Sequence, residues 1–232
     1  MTPPEIDGGG SAAAAWRVWR CGDAALAVGC DAELNPDVNA KAVEIARQVR
    51  AAGLAGVRDV VPTHSAVTVY VDPLVADTAA LSDRLRRWAA SAEPETLPGR
   101  ELTVGVRYGG PGGPDLGAVA AFAECSLDEV VQRHAAARYR VFMLGFLPGF
   151  AYMGVVDRRI AMPRRQTPRV AVPARAVGIA GRQTGIYPAV APGGWQLIGT
   201  AELEPFRLDG EPACVFRPGD LVRFEPRSVE AP

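Results

Sequence analysis

The chain is poor in the residues that most often carry chemistry. Lys41 is its only lysine, and His64 and His134 are its only histidines. The four cysteines are scattered with no C-x-x-C pair: Cys21, Cys30, Cys125 and Cys214. Such dispersed nitrogen and sulfur ligands predict no metal site within the chain. Scattered thiols are more typical of a reducing cytoplasm than of a disulfide scaffold.

The sequence also lacks an excess of charge and a long apolar run. Its formal net charge is −1 and its pI is near 6.2, so it offers no general electrostatic attraction for nucleic acid or for an anionic membrane surface. No apolar run approaches the roughly 20 residues that span a bilayer, and the first residues lack the pattern of a signal peptide. We expect a cytoplasmic protein with a disordered tail over residues 1–15.

The chain has enough hydrophobic residues for a substantial core, because they make up 48% of its 232 residues. Over residues 16–92 the pattern runs strand, strand, helix, strand, strand, helix. Asn35 as N-cap and Pro36 at the first helical position predict the start of the first helix, and the second is predicted over 78–90. This order indicates a small α+β domain.

The second half of the chain has a different pattern. Prolines and polar residues predict a linker over 93–100. Residues 101–232 then carry many short strands separated by glycine or proline, with a helix that begins at the capping box Ser126–Glu129. This predicts a closed barrel or a sandwich with a helical insert. The glycine-rich stretch 109–114 lacks the lysine and hydroxyl residue of a P-loop, so we expect a plain strand-to-helix connection.

Aromatic rings and arginines concentrate in motifs interrupted by glycine and proline. These are "GFLPGFAYMG" (145–154), "PRRQTPR" (163–169), "GIAGRQTGIYP" (178–188) and "APGGWQLIG" (191–199). Between residues 145 and 199 the only acidic residue is Asp157, and there is no serine or cysteine. The region therefore has no obvious nucleophile of its own, and any chemistry there needs groups from elsewhere.

The roles of the arginines and of the second histidine stay open at this point. The arginines in question are Arg164, Arg165, Arg169, Arg175 and Arg182. Exposed arginines on turns are often merely solvated. The alternative is that a few converge on a carboxylate or phosphate, whose oxygens match the guanidinium fork. His134, near the end of a helix, either packs there or transfers protons near neutral pH.

Taken together, four segments resemble the signature of the B-type subunit of 5-oxoprolinase. They are "YRVFMLGFLPGFAYMG", "PRRQTPRVAVP", "VGIAGRQTGIYP" and "PGGWQLIGT", in this order and at close spacing. That family is also known as allophanate hydrolase subunit 1 and as Kip-type histidine-kinase inhibitor, and the resemblance covers nearly the whole chain after Trp16. One departure is that the family's usual "VPAGSVGIAG" reads "VPARAVGIAG" here, with Arg175 and Ala176 in place of Gly-Ser.

The resemblance implies a small N-terminal α+β domain followed by a cyclophilin-like β-barrel domain. It implies that the chain is a non-autonomous subunit of an ATP-dependent 5-oxoprolinase, acting with a homologous C-type subunit and a third subunit. That complex opens the lactam 5-oxoproline to glutamate, with ATP, and Mg²⁺ with it, bound by the complex. Two alternatives remain: a regulatory inhibitor of a sensor histidine kinase, or a subunit of an allophanate hydrolase or urea carboxyltransferase-type complex with a urea-like substrate.

We interpret the motifs as one wall of a cleft shared with the C-type subunit. His134 is the predicted catalytic residue. The predicted substrate- or phosphate-binding residues are Arg164, Arg165, Gln183, Thr184 and Tyr187. The residues predicted to shape the pocket are Phe146, Pro148, Gly149, Phe150, Tyr152, Gly193, Gly194 and Trp195.

Overall fold

The structure, a computed structural model, describes residues 15–93 and 99–231. The chain divides into two compact units, residues 1–94 and 95–232. Residues 1–14 of the predicted tail and 94–98 of the predicted linker lie outside the described residues, so both segments stay predictions. In the two described ranges, no helix is both long and apolar enough to cross a membrane.

The first unit packs two helices with one antiparallel sheet. Its elements are β1 (Arg17–Arg20), β2 (Ala25–Gly29), α1 (Pro36–Ala51), β3 (Val57–Pro62), β4 (Ala66–Val71) and α2 (Thr78–Ser91). The strand order in the sheet is β1-β2-β4-β3. The Asn35 side chain accepts hydrogen bonds from the backbone amides of Asp37 and Val38, which confirms the predicted N-cap. The predicted order of strands and helices is also confirmed.

The second unit is a closed barrel with two helices and a small separate sheet. Its helices are α3 (Leu116–Phe122) and α4 (Leu127–Ala136). Its strands are β5 (Glu101–Tyr108), β6 (Arg138–Leu144), β7 (Ala151–Gly154), β8 (Arg169–Val172), β9 (Ala176–Ala180), β10 (Gln183–Ile186), β11 (Ala191–Gly193), β12 (Gln196–Ala201) and β13 (Leu221–Val229). The barrel closes in the order β10-β7-β6-β13-β5-β12-β9, while β8 pairs with β11 outside it. The fold class predicted from sequence is confirmed.

The capping box at the start of α4 is present as predicted. The Ser126 hydroxyl accepts from the backbone amide of Glu129 at 3.2 Å, and the Glu129 carboxylate accepts from the Ser126 amide at 3.4 Å. Val130, Val131 and His134 form the buried side of this helix. The helix contacts β13 of the barrel, so its buried side contributes to the barrel core.

Strand β9 has two different faces because side chains alternate along a strand. Val177 and Ile179 lie in the barrel core, with no exposed surface. Ala176 and Ala180 belong instead to a separate buried cluster that includes Phe150 and Trp195. The outward face of β9 is therefore built from small residues, and large aromatic side chains cover it.

Candidate functional site

A cleft of about 100 Å³ lies beside this aromatic cluster. Apart from Pro192, the residues that line it all belong to the predicted site: Phe146, Phe150, Tyr152, Arg164, Tyr187, Gly193, Gly194 and Trp195. They come from four motifs that are up to about fifty residues apart in the chain. The structure thus brings the aromatic residues, one arginine and the Gly-Gly turn of the sequence motifs to one place.

The aromatic side chains pack edge to face around Phe150, which is buried. The Phe150 ring centroid lies 4.8 Å from that of Tyr152, 5.2 Å from Tyr187 and 5.4 Å from Trp195, with interplanar angles of 67°, 75° and 85°. Perpendicular rings at such distances attract one another by about 0.5–1.5 kcal/mol per pair beyond the burial of their area. This wall of the cleft is therefore expected to be rigid.

Glycines allow the rings to approach the barrel so closely. A Cβ atom at Gly185 would lie 3.2 Å from the Phe150 ring and 2.8 Å from the carbonyl oxygen of Ala151. A Cβ atom at Gly193 would lie 2.4 Å from the Tyr187 hydroxyl. The distances of 2.8 and 2.4 Å are too short for a side chain to be added without moving a ring or the backbone. Close packing, rather than phosphate binding, explains these glycines.

Phe146 stands at the open side of the cleft in an unusual conformation. Its φ is 65°, in the left-handed region, and 55% of its surface is exposed. Holding a non-glycine residue there costs roughly 1–2 kcal/mol. Its ring nevertheless contacts the cluster, with its centroid 5.6 Å from Phe150. Backbone strain of this kind concentrates at binding sites, which fits a ring held ready for a ligand or partner.

Arg164 is the cationic group of the cleft. Its guanidinium carbon lies 5.9 Å from the centroid of the Trp195 ring, a cation–π distance. Within residues 15–93 and 99–231, no carboxylate forms an ion pair with Arg164. Burial raises the pKa of the nearby Tyr152 and Tyr187 hydroxyls, and the charge of Arg164 partly offsets that effect. The tyrosines therefore stay protonated at neutral pH.

Arg165 and Arg169 are held by Asp115, a buried carboxylate absent from the residues predicted for the site. Asp115 Oδ1 accepts from Arg165 Nη1 at 3.1 Å and from Arg169 Nη2 at 2.8 Å. Its Oδ2 accepts from the backbone N–H of Leu197 at 2.7 Å. The glycine-rich stretch 109–114, predicted as a plain strand-to-helix connection, is therefore followed by a residue that links α3, β12 and the arginine segment 163–169.

The arginine segment 163–169 is attached to the Gly-Gly turn as well. The backbone N–H of Arg165 donates to the carbonyl of Gly194 at 2.7 Å. The side-chain amide of Gln196 donates to the carbonyl of Pro163 at 2.8 Å. These bonds, together with Asp115, fix the backbone on both sides of Arg164. The backbone position of Arg164 is therefore well defined.

His134 and Thr184 lie inside the barrel and do not line the cleft. The Thr184 hydroxyl donates to the carbonyl of Gly178 at 3.0 Å, so it accepts from His134 Nε2 at 2.9 Å. His134 Nδ1 then accepts from the Tyr108 hydroxyl at 2.8 Å. Burial lowers the pKa of His134 to about 3. A neutral imidazole with both nitrogens hydrogen-bonded inside the core favours a structural role, and the catalytic assignment stays a prediction.

Three other predicted residues lie beside the cleft or away from it. Gln183 is half-buried on β10, and Pro148 is exposed. Gly149 has φ 83°, and a Cβ atom there would lie 2.5 Å from the Cβ of Phe206, so it packs against the 205–206 loop. Among the described residues, no group of three or more histidine, cysteine, aspartate or glutamate side chains could hold a metal ion.

A larger cavity, of about 480 Å³, lies in the first unit between β1 and α2. Two arginines that line it already have partners: Arg86 pairs with Asp83 at 2.8 Å, and Arg20 donates to the Thr78 hydroxyl at 3.4 Å. Its arginines thus already bind neighbouring side chains, and none of the residues singled out by the sequence motifs lines it. Size alone does not make it the better candidate site.

The chain matches a known class of domain. Residues 16–216 match the family described as carboxyltransferase domain, subdomain C and D. The chain is 36% identical over 223 residues to the 5-oxoprolinase B-type subunit of Bacillus subtilis (strain 168), across 90% of this chain and 92% of that protein. It is 46% identical over 145 residues to the protein of the same name from Escherichia coli O157:H7, across 62% of this chain and 66% of that protein. The chain belongs to the family of 5-oxoprolinase B-type subunits, which confirms the resemblance found in the motifs.

Solved structures agree with this assignment. TTHA0988 is 34% identical with a TM-score of 0.78, and the match covers 90% of this chain and 40% of that chain. The chain thus corresponds to less than half of that longer polypeptide. Kluyveromyces lactis urea carboxylase has a TM-score of 0.71 at 17% identity, covering 91% of this chain and 22% of that chain. At that identity the likeness shows the fold alone.

Proposed function

We propose that this chain is a non-autonomous subunit of an ATP-dependent 5-oxoprolinase and supplies one wall of a substrate site shared with a homologous barrel subunit. The observation that carries the proposal is that the cleft is incomplete as a catalytic site. It has aromatic walls and the Arg164 guanidinium, but among the described residues no serine, cysteine, histidine or carboxylate lines it, and burial raises the pKa of its two tyrosines. We therefore assign the general base of the reaction to another chain.

The size of the cleft supports a shared site. Ligand pockets that enclose a whole small molecule usually hold about 300–1,000 Å³, whereas this cleft holds about 100 Å³. It can enclose one end of a small substrate and leaves the rest to a partner. The relatives, which are named as one subunit of 5-oxoprolinase, support the existence of partner subunits. In TTHA0988 the matched region is likewise only part of a longer chain.

The glycine-rich stretch and the aromatic cleft of this chain do not fit ATP. The glycine-rich stretch 109–114 forms a short 3₁₀ turn over Gly110–Gly112, and it has no P-loop lysine. A cleft of about 100 Å³ is too small for a nucleotide. Arg165 and Arg169 are already paired with Asp115. We therefore assign ATP and its Mg²⁺ to the other subunits of the complex, and assign substrate positioning to this one.

The test is ADP release by this chain purified together with its candidate partner subunits. The complex is measured with 5-oxoproline, with urea as the control substrate, and without substrate. We expect 5-oxoproline to stimulate ADP release only when the partners are present. Full turnover by the isolated chain would contradict the shared site. Stimulation of ADP release by urea but not by 5-oxoproline would indicate that the substrate is urea-like and not a lactam.

A further inference from the structure

We propose that the cleft binds a small cyclic acid by its carboxylate, with Arg164 as the group that selects for that carboxylate. This role rests on the proposed function and specifies which part of the substrate this chain recognises. It distinguishes a carboxylate-bearing lactam from a neutral amide or urea of similar size. The hydrogen-bonding groups of the cleft, the availability of its arginine and its shape all support this role.

The polar side chains that line the cleft are hydrogen-bond donors or hydroxyls. Arg164 has only N–H donors, and the Trp195 indole has one donor and no acceptor. The Tyr187 hydroxyl accepts a hydrogen bond from the Trp195 backbone, so its proton is free to be donated to a ligand. No carboxylate or side-chain amide is among the residues lining this cleft. Such a lining suits an acceptor-rich ligand.

Urea fits these groups poorly, and a lactam acid fits them well. Urea presents four N–H donors and one carbonyl acceptor, and a cleft of donors leaves most of its N–H groups without partners. A buried N–H group without a partner costs about 1–3 kcal/mol. A carboxylate presents two acceptor oxygens with the spacing of the guanidinium fork. The chemistry of the cleft therefore favours the acid.

Arg164 is the arginine available for this contact. Arg165 and Arg169 both bind the buried Asp115, at 3.1 and 2.8 Å, and moving either away would break a partly buried ion pair. Arg164 lies over the Trp195 ring instead, with no carboxylate partner in the described part of the chain. A substrate carboxylate can bind it without breaking an existing ion pair.

The shape of the cleft matches a small flat ring. Tyr187 and Trp195 each stand nearly perpendicular to Phe150, at 75° and 85°, with centroids at 5.2 and 5.4 Å. These buried rings support Phe146, which is 55% exposed, so ring methylene groups can pack against its apolar surface while the carboxylate turns toward Arg164. The volume of about 100 Å³ is well below the roughly 300–1,000 Å³ of pockets that enclose drug-sized ligands, which excludes large ligands.

The experiment compares two lactams in the intact complex: 5-oxoproline, and 2-pyrrolidinone, which is the same ring without the carboxylate. Steady-state ADP release gives kcat and KM for each lactam with the wild type, Arg164→Ala and Arg164→Lys. We expect Arg164→Ala to raise the KM for 5-oxoproline at least about tenfold and to reduce the preference for it over 2-pyrrolidinone by a similar factor, as loss of a charged hydrogen bond does. Arg164→Lys keeps the charge without the fork and should give an intermediate preference.

Two further variants separate a specific role from a general one. Arg158→Ala removes an exposed arginine that does not line the cleft and should leave the kinetics unchanged. Arg165→Ala should leave the preference between the two lactams intact, even if the rate falls.

If Arg164→Ala keeps the wild-type preference for 5-oxoproline over 2-pyrrolidinone, the inference is overturned while the proposed function stands. An equal loss of activity toward both lactams also overturns it, because that pattern indicates a structural role. A wild-type complex that releases no ADP with 5-oxoproline overturns both proposals.

Discussion

Replacing Asp115 with alanine is expected to lower the free energy of unfolding of the barrel unit by about 3–5 kcal/mol, the usual cost of breaking a buried ion pair from one side. Asp115 is only 4% exposed. Without its carboxylate, the buried N–H of Leu197 loses an acceptor at 2.7 Å, which costs about 1–3 kcal/mol. The Arg169 side chain, 23% exposed, loses its partner as well. The Arg165 side chain is 39% exposed, so its share is screened by water and is below about 1 kcal/mol.

Hydrogen exchange of barrel peptides under native conditions measures this change in the barrel unit itself, which is needed because the chain divides into two compact units and multi-domain chains often depart from two-state unfolding. The peptide that contains the Leu197 amide should lose protection first. Asp115→Asn keeps an oxygen for that amide and should cost less than Asp115→Ala. Arg165→Ala should cost less than about 1 kcal/mol. An Asp115→Ala protein within about 1 kcal/mol of wild type would refute the reasoning that the carboxylate holds the segment beside the cleft.

Two further substitutions and one change of pH test other parts of the same structure. Gly193→Ala places a Cβ atom 2.4 Å from the Tyr187 hydroxyl, so it should displace that ring and weaken 5-oxoproline turnover by the complex, measured as a higher KM. Arg175→Gly replaces a residue at φ 65° and should stabilise the chain by up to about 1 kcal/mol in urea unfolding, because relief of the left-handed strain exceeds the extra entropy of glycine. The His134 pKa of about 3 predicts a loss of about 1–2 kcal/mol in unfolding free energy between about pH 6.5 and pH 5, measured by urea titration.

Each of these predictions has a control. Gly194→Ala is matched to Gly193→Ala, because its Cβ atom would meet nothing closer than 3.6 Å and the cleft should keep its shape. For Arg175, a loss of stability on going to glycine would show that the side chain contributes more than the strain costs. For His134, the unfolded imidazole binds a proton below about pH 6.5 while the folded one stays neutral down to about pH 3. Stability from this group must therefore fall as the pH falls, and His134→Gln, although less stable, should lose that part of the pH dependence.

Local signals in the sequence account well for the secondary structure. Asn35 and the capping box at Ser126 satisfy backbone groups within a few residues, so they can be recognised without knowledge of the fold. The position of Arg175 shows a further local rule. Its φ of 65° lies in the left-handed region, which favours glycine. Such rules depend on a residue and its neighbours in the chain, which is why they predict helix starts and turns.

Asp115 shows what local rules miss. It occupies the N-cap position of α3, where aspartate usually accepts from the first helical amides, but its side chain makes no such hydrogen bond. It binds arginines 50 and 54 residues further along the chain instead. Closure of the barrel brings these groups together, and nothing in the neighbouring sequence predicts it. The burial of His134 is easier to predict from the sequence, because Val130 and His134 are four residues apart and share one side of a helix.

The alternation of side chains along a strand limits which predicted residues can touch one ligand. Thr184 and Tyr187 are separated by three positions on extended backbone, so their side chains leave on opposite faces. Thr184 accordingly bonds His134 inside the barrel, while Tyr187 lines the cleft outside it. Gly185 shares the outward face with Tyr187, and its lack of a side chain makes room for the Phe150 ring. A ligand in the cleft can therefore reach Tyr187 and Arg164 but not Thr184 or His134, and the general base of the proposed reaction is expected to approach from the open side, where a partner can bind.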